Sequence, residues 1–207
     1  MAKRCIYYVS DGILYRQDMI IDWELGFTKE AKRVYIKRMQ DSFPIKSMLP
    51  IDVTSASPDW ETRSLSPIYL KVKDKDQSVE DYLADCKTML PRNVDRSPFN
   101  AYVYLTSLGE KEALTIVRHQ AYFDVFHNPE RAVNNTQAYW CAMFKYLFET
   151  GNIAILNEYA MFLQWFEIFS PTLLDTIVEQ EREQNPMAES FEDAEYEYAD
   201  DGELPFG

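Results

Sequence analysis

The chain has 207 residues, 46% of them hydrophobic and 14% aromatic, enough apolar material for one full-sized core. Its 21 basic residues face 34 acidic ones, a net charge of -13, which argues against the broad basic groove of a duplex-binding protein. Eight of the carboxylates and no base fall between Met187 and Gly207, so the body carries about -5.

Cys5 to Val9 and Ile13 to Arg16 flank Ser10-Asp11-Gly12 and read as a hairpin with a tight Asp-Gly turn. A third extended piece, Met19 to Trp23, precedes a helix over 28–40 that Thr28 caps and that places Ala31, Val34, Tyr35 and Met39 on one face and lysines on the other. Ile51 to Ser55 and Ser66 to Val72 are expected to be two more strands, separated by the Pro58-Asp59-Trp60 loop. Ser78 opens a helix to about Met89, with Asp81 completing a capping box. Apolar residues at three- and four-residue spacings predict helices near 98–118, 136–149, 152–169 and 171–184.

Past Asn185-Pro186 the sequence turns to Glu, Asp, Tyr and Ala without periodicity, and a disordered acidic tail over 186–207 is expected. The expected body, 1–185, is a single α+β domain. In it, a small sheet from the N-terminal third is covered by a mainly helical C-terminal half. No stretch reads as a signal peptide or membrane span, so a soluble cytoplasmic protein is expected. Cys5, Cys86 and Cys141 lack C-x-x-C spacing and read as free thiols rather than metal ligands. The six glycines form no phosphate-binding motif. Neither His119 nor His127 has a partner identifiable from sequence.

Four segments resemble, in order, successive blocks of one family. Asp22-Trp23-Glu24-Leu25-Gly26-Phe27-Thr28, with Lys32 and Ile36, is similar to an opening W-x-P-G-F-S and its following helix. Ile51 to Pro58 and Leu65 to Leu70 resemble L-E-I-S-x-K-S-P through L-S-A-F-N-L at matching spacing. Ser78-Val79-Glu80 with Lys87 resembles the helix V-E-x-x-F-Q-x-S-K. Ala101 to Leu105, Asp124, Asn128-Pro129 and Asn135 to Ala138 resemble Y-D-W-L-Y, D-I-x-F-N-P and N-C-Q-A. Ala56, Thr62, Ile68-Tyr69 and Ala84 depart from the family's pattern, as does the short Lys87 to Pro98 interval.

Together these segments resemble the NADAR-type antitoxins associated with DNA ADP-ribosyltransferase toxins, and the resemblance implies hydrolysis of the N-glycosidic bond between ADP-ribose and guanine in DNA, with neither metal nor other cofactor. Such a bond breaks through an oxocarbenium-like state, which needs a carboxylate near the sugar and donors near the diphosphate. Glu80 is then the working carboxylate, and Lys87, two turns along the same helix face, the phosphate partner. Read without the family, both residues also suit the helix macrodipole. The ligand-binding positions implied are Asp52, Ser57, Asp124, Asn128 and Gln137. Locally, Asp52 and Ser57 also fit turn stabilisation, Asp124 a cap or salt bridge, Asn128 a turn, and Gln137 a backbone contact. Trp140, Phe144, Trp165 and Phe166 recur at helical spacings and read as core, whereas Trp60 stands in a polar loop.

Tyr198 to Phe206 in the tail resembles the acidic, hydrophobic-tipped terminus of bacterial single-stranded-DNA-binding proteins. Asp200 and Asp201 would steer it and Leu204 and Phe206 anchor it in a basic, apolar slot. The partners expected are ADP-ribosylated DNA or a cognate toxin, or a nucleic-acid-binding enzyme reached through the acidic surface and tail, with no membrane. An alternative function follows from the charge and the altered motif positions: an inactive acidic inhibitor or DNA mimic of a nucleic-acid enzyme.

Overall fold

The computed structural model describes residues 2–21, 28–45, 47–51, 60–89, 94–125 and 136–178. Strands β1 (Ala2–Ser10) and β2 (Ile13–Ile21) form the expected hairpin, with Asp11 and Gly12 at φ 52° and 71° in its turn. Two consecutive left-handed residues are what a right-twisting two-residue hairpin requires. The extended piece expected over Met19 to Trp23 is not separate in its described part: Met19–Ile21 is the end of β2, and residues 22–23 lie outside the described residues.

Helix α1 (Lys29–Ser42) follows, its first turn held by the Thr28 hydroxyl, which accepts the Ala31 N–H at 3.1 Å. Strands β3 (Met48–Ile51), β4 (Ala121–Asp124) and β5 (Thr172–Val178) complete one sheet in the order β3-β4-β1-β2-β5. Both outer pairs, β3 with β4 and β5 with β2, are parallel; the inner ones are antiparallel. An α+β architecture results, with the sheet drawn mainly from the N-terminal part and most helices in the C-terminal half.

Strict alternation divides the sheet's two faces. Ile6, Met19, Met48 and Phe123 pack under α1 with Tyr35, Met39 and Phe43. Tyr7, Leu14, Leu49 and Tyr122 face the larger core, where helix α6 (Gln137–Glu149) contributes a nearly all-buried surface including Tyr139, Trp140, Met143 and Leu147. The remaining helices build outward from α6. They are α2 (Trp60–Ser64), α3 (Val79–Met89), α4 (Ser97–Thr106), α5 (Glu110–Arg118) and α7 (Tyr159–Ile168).

Several expectations are corrected. Residues 171–184 are not a helix: Thr172–Val178 is a strand laid on the free edge of β2, and residues 179–184 lie outside the described part. A short apolar run satisfies both periods, and the β2 edge supplies the hydrogen bonds that decide between them. No strand forms over Ser66 to Val72. The Ser66 carbonyl accepts from Tyr69 and Leu70 in tight turns, and only Lys71 bridges across to Ser78. Pro67 has no N–H to give a ladder.

Of the strand expected at Ile51 to Ser55, Ile51 does lie in a strand, β3, which begins earlier at Met48, and 52–55 lie outside the described residues. The single helix expected over 98–118 is two. Thr106 and Ser107 turn their hydroxyls back on the Tyr102 and Val103 carbonyls, and Gly109 then starts α5. Residues 152–169 likewise divide into a 3-10 turn, Ile153–Asn157, and α7. Strand β4 was not expected at all.

Candidate functional site

The topology brings β2's end, β3's end, β4's end and the start of β1 to one end of the sheet, since Ala2 pairs with Ile21 and Ile51 with Asp124. The N-terminus of α6 lies there too, because the Ala138 N–H donates to Asp124 Oδ1 at 3.1 Å. So does that of α1, whose Tyr35 meets Arg4 and Phe123 while its far end meets Tyr8 through Phe43.

Asp124 is 8% exposed and points, like Tyr122, toward the larger core. Burial pushes its carboxyl up to about 7, against the pull of the hydrogen bonds from Ala138 and the Thr136 side chain. Thr136 caps α6, accepting the Tyr139 N–H at 3.2 Å, and its side chain also bonds the Tyr7 phenol. One buried hydroxyl therefore serves a helix end, a carboxyl and a phenol. Thr136→Ala is expected to cost about 1–2 kcal/mol in urea unfolding. A Thr136→Ser variant should recover most of that loss; equal losses for the two would show that the lost methyl, not the hydroxyl, matters.

Beside Asp124 runs a second polar row. Cys5 Sγ donates to Asp18 Oδ1 at 3.0 Å, Arg16 Nε donates to the same oxygen at 3.1 Å, and Lys3 Nζ lies 2.7 Å from Oδ2. Burial alone would raise Asp18, but the Cys5 and Lys3 hydrogen bonds and the Arg16 and Lys3 charges outweigh it and hold its carboxyl below the usual value. Burial and Asp18 together push the Cys5 thiol up to about 12, so it is no nucleophile at neutral pH. Sequence reasoning missed this row because it placed Asp18 between two strands. Read as one strand over 13–21, the hairpin register sets Asp18 opposite Cys5.

Helix α3 forms as expected. The Ser78 hydroxyl accepts the Asp81 N–H at 3.1 Å and donates to the Asp81 carboxylate at 2.6 Å, so that carboxylate holds the capping hydroxyl rather than reaching backbone. Glu80 is exposed in the first turn, its backbone N–H bonded to the Pro67 carbonyl at 3.0 Å. Lys87, exposed near the other end, borders an open groove of about 810 Å³ between α3 and the start of α4. Leu83, Ala84, Asp95, Arg96 and Asn100 line that groove as well, and Glu80 does not. The two residues thus share a helix, but among the described residues Glu80 is not part of this groove's lining.

Gln137 is the half-buried first residue of α6, between the cap Thr136 and Ala138. Asp52, Ser57 and Asn128 lie outside the described residues, as do Asp200, Asp201, Leu204 and Phe206 and the motif positions Trp23 to Phe27. Asp52 directly follows Ile51 at the sheet's end. Trp60 opens α2. Trp140 and Phe144 are core, as read from sequence, while Trp165 and Phe166 pack against it half-buried. His119 ends α5 with Nδ1 at 2.8 Å from the Thr115 carbonyl. Among the described residues no three His, Cys, Asp or Glu side chains gather as a metal site would require, and no helix is long and apolar enough to cross a membrane.

The geometry offers two settings for chemistry. One is the sheet end, with a buried carboxyl poised near neutrality and a helix N-terminus. The other is an open groove bordered by Lys87 and Arg96. A comparison with models of known families and with curated proteins finds no match for the chain.

Proposed function

We propose that this protein is a NADAR-like antitoxin or counter-defence protein that removes ADP-ribose from guanine in DNA by N-glycosidic hydrolysis. The observation that supports the reading is the convergence at the sheet end. Three of the four segments that resemble the family adjoin β2, β3 and β4 where those strands finish, and the third of these segments runs on into the N-terminus of α6. Because β2, β3 and β4 run in one direction, the segments that follow them open at the same end, the place where a fold of this kind builds a ligand site from loops. A carboxyl with a raised pKa at such a place is the kind of group that acid-base chemistry at neutral pH employs.

In this reading Glu80 stabilises the developing positive charge at the sugar, Lys87 holds a phosphate, and Asp52, Ser57, Asp124, Asn128 and Gln137 orient the ligand. The exposure of Glu80, outside the groove that Lys87 borders, favours a second reading. It is an inactive acidic inhibitor that engages a nucleic-acid enzyme through its surface and the tail residues Asp200, Asp201, Leu204 and Phe206.

Release of ADP-ribose from guanine-modified single-stranded DNA separates the two. The parent is expected to release it, and Glu80→Gln to be slower by about 100-fold or more, the range of a lost acid-base group. No release by the parent, with tight binding to a transferase toxin or nuclease, would establish the inhibitor instead.

A further inference from the structure

Charge is segregated within the fold as well as along the chain. Helix α1 holds five of the basic residues, Lys29, Lys32, Arg33, Lys37 and Arg38, against Glu30 and Asp41, and so carries +3 in a chain of -13. Its buried face, Tyr35, Met39 and the following Phe43, is spent on the sheet, and Arg33, Lys37 and Arg38 all point to solvent. Arg33 and Lys37 are one turn apart, about 6 Å between their Cβ atoms, and so form a stripe along the axis. Exposed Val34 lies beside them, one turn from Arg38, and α1 itself places no aromatic residue on that face on which a base could stack. Of the two acids of α1, Glu30 lies one turn before Arg33, and Asp41 sits 4.0 Å from Lys37 with both side chains largely in water. Such a pair contributes little and exchanges readily for another anion.

We infer that this outer face of α1 is the contact for the phosphate backbone of single-stranded DNA. The inference rests on the functional reading above and names where its polymeric substrate lies. A polyanion approaching a protein of this charge is repelled from acidic surface and steered to a face of net positive charge such as this one. Because α1 starts at the sheet end, a strand laid along it passes the candidate site. Backbone contacts set register and orientation without reading sequence, which suits an activity directed at a modification rather than a site.

The test is a salt series of the affinity of the full chain for a short unmodified single-stranded oligonucleotide, followed by fluorescence anisotropy. Three lost phosphate contacts at about 0.7 each should flatten the slope of log affinity against log salt by about 2 in R33Q/K37Q/R38Q. Affinity at low salt should fall by about tenfold or more, with the circular dichroism unchanged. The control K71Q/K73Q/K75Q, which removes the same charge from exposed lysines beyond α2, should keep the parent's slope. No binding by the parent, or equal flattening in both triple variants, would overturn the inference. So would displacement of the DNA by polyglutamate at equal charge concentration, since that would assign the face to an acidic protein. Turnover is not read in this experiment. A chain that binds DNA through α1 but releases no ADP-ribose keeps the inference and loses the hydrolase.

Discussion

Asp124→Asn is expected to make the protein more stable near neutral pH, by up to about 4 kcal/mol, and to leave it nearly unchanged at pH 4. Burial pushes this carboxyl from its ordinary value of 3.8 in the open chain up to about 7 in the fold. The folded state binds the proton more tightly, so the stability this group contributes is complete below 3.8, declines as pH rises from there, and is gone above about 7. Asparagine mimics the protonated acid: its carbonyl oxygen can accept from the Ala138 N–H and the Thr136 hydroxyl as the carboxyl does, without a charge to bury. Two effects oppose each other here. The N-terminus of α6 and its hydrogen bonds favour the anion, while burial disfavours it, and burial is the larger. Urea unfolding of parent and variant at several pH values between 4 and 8 measures the outcome. A stability difference that does not change with pH would mean that the folded carboxyl ionises at an ordinary value, and would remove the acid-base argument for the sheet end.

Phe162→Ala is expected to cost about 3–5 kcal/mol, the range for a buried aromatic cut back to a methyl. Phe162 has no exposed surface and is the one buried residue of α7. Its ring lies 5.5 Å from Tyr102 on α4 and 5.9 and 5.6 Å from Trp165 and Phe166 on its own helix. The neighbours exposed on α7, Tyr159, Met161 and Ile168, cannot substitute for it. The loss should therefore be partly local. Amide hydrogen exchange across Tyr159–Ile168 should rise before the sheet opens, and Phe162→Leu should cost less than half as much. Uniform acceleration of exchange throughout the chain would show instead that α7 unfolds only with the whole domain.

The elements that were legible in the sequence are those whose signal is local. Asp11-Gly12 places a hairpin because two consecutive positive-φ residues have few other uses, and Thr28, Ser78 and Thr136 each start a helix because a hydroxyl satisfies its first N–H groups. Helix α6 was visible in its aromatic spacing. Where the reading failed, the deciding contact was distant. Ala121–Asp124 is four buried residues without a period, and it is a strand because β1 and β3 lie on either side of it. Thr172–Val178 carries apolar spacing that suits a helix and becomes a strand at an open edge some 150 residues earlier.

The candidate site divides the same way. Residue types and family-like spacing singled out Asp124, Gln137, Glu80 and Lys87. Neither could show that Asp124 is buried against a helix end while Glu80 faces water, or that Cys5, Arg16 and Lys3 meet on Asp18. By itself the sequence determined composition, charge segregation, the turns and the helix starts, because those depend on neighbours a few residues away. Tertiary structure alone decided sheet order, the strand identity of two segments and the protonation of Asp124. Each depends on which distant backbone supplies hydrogen bonds and on how much water is excluded, and no local window contains that information.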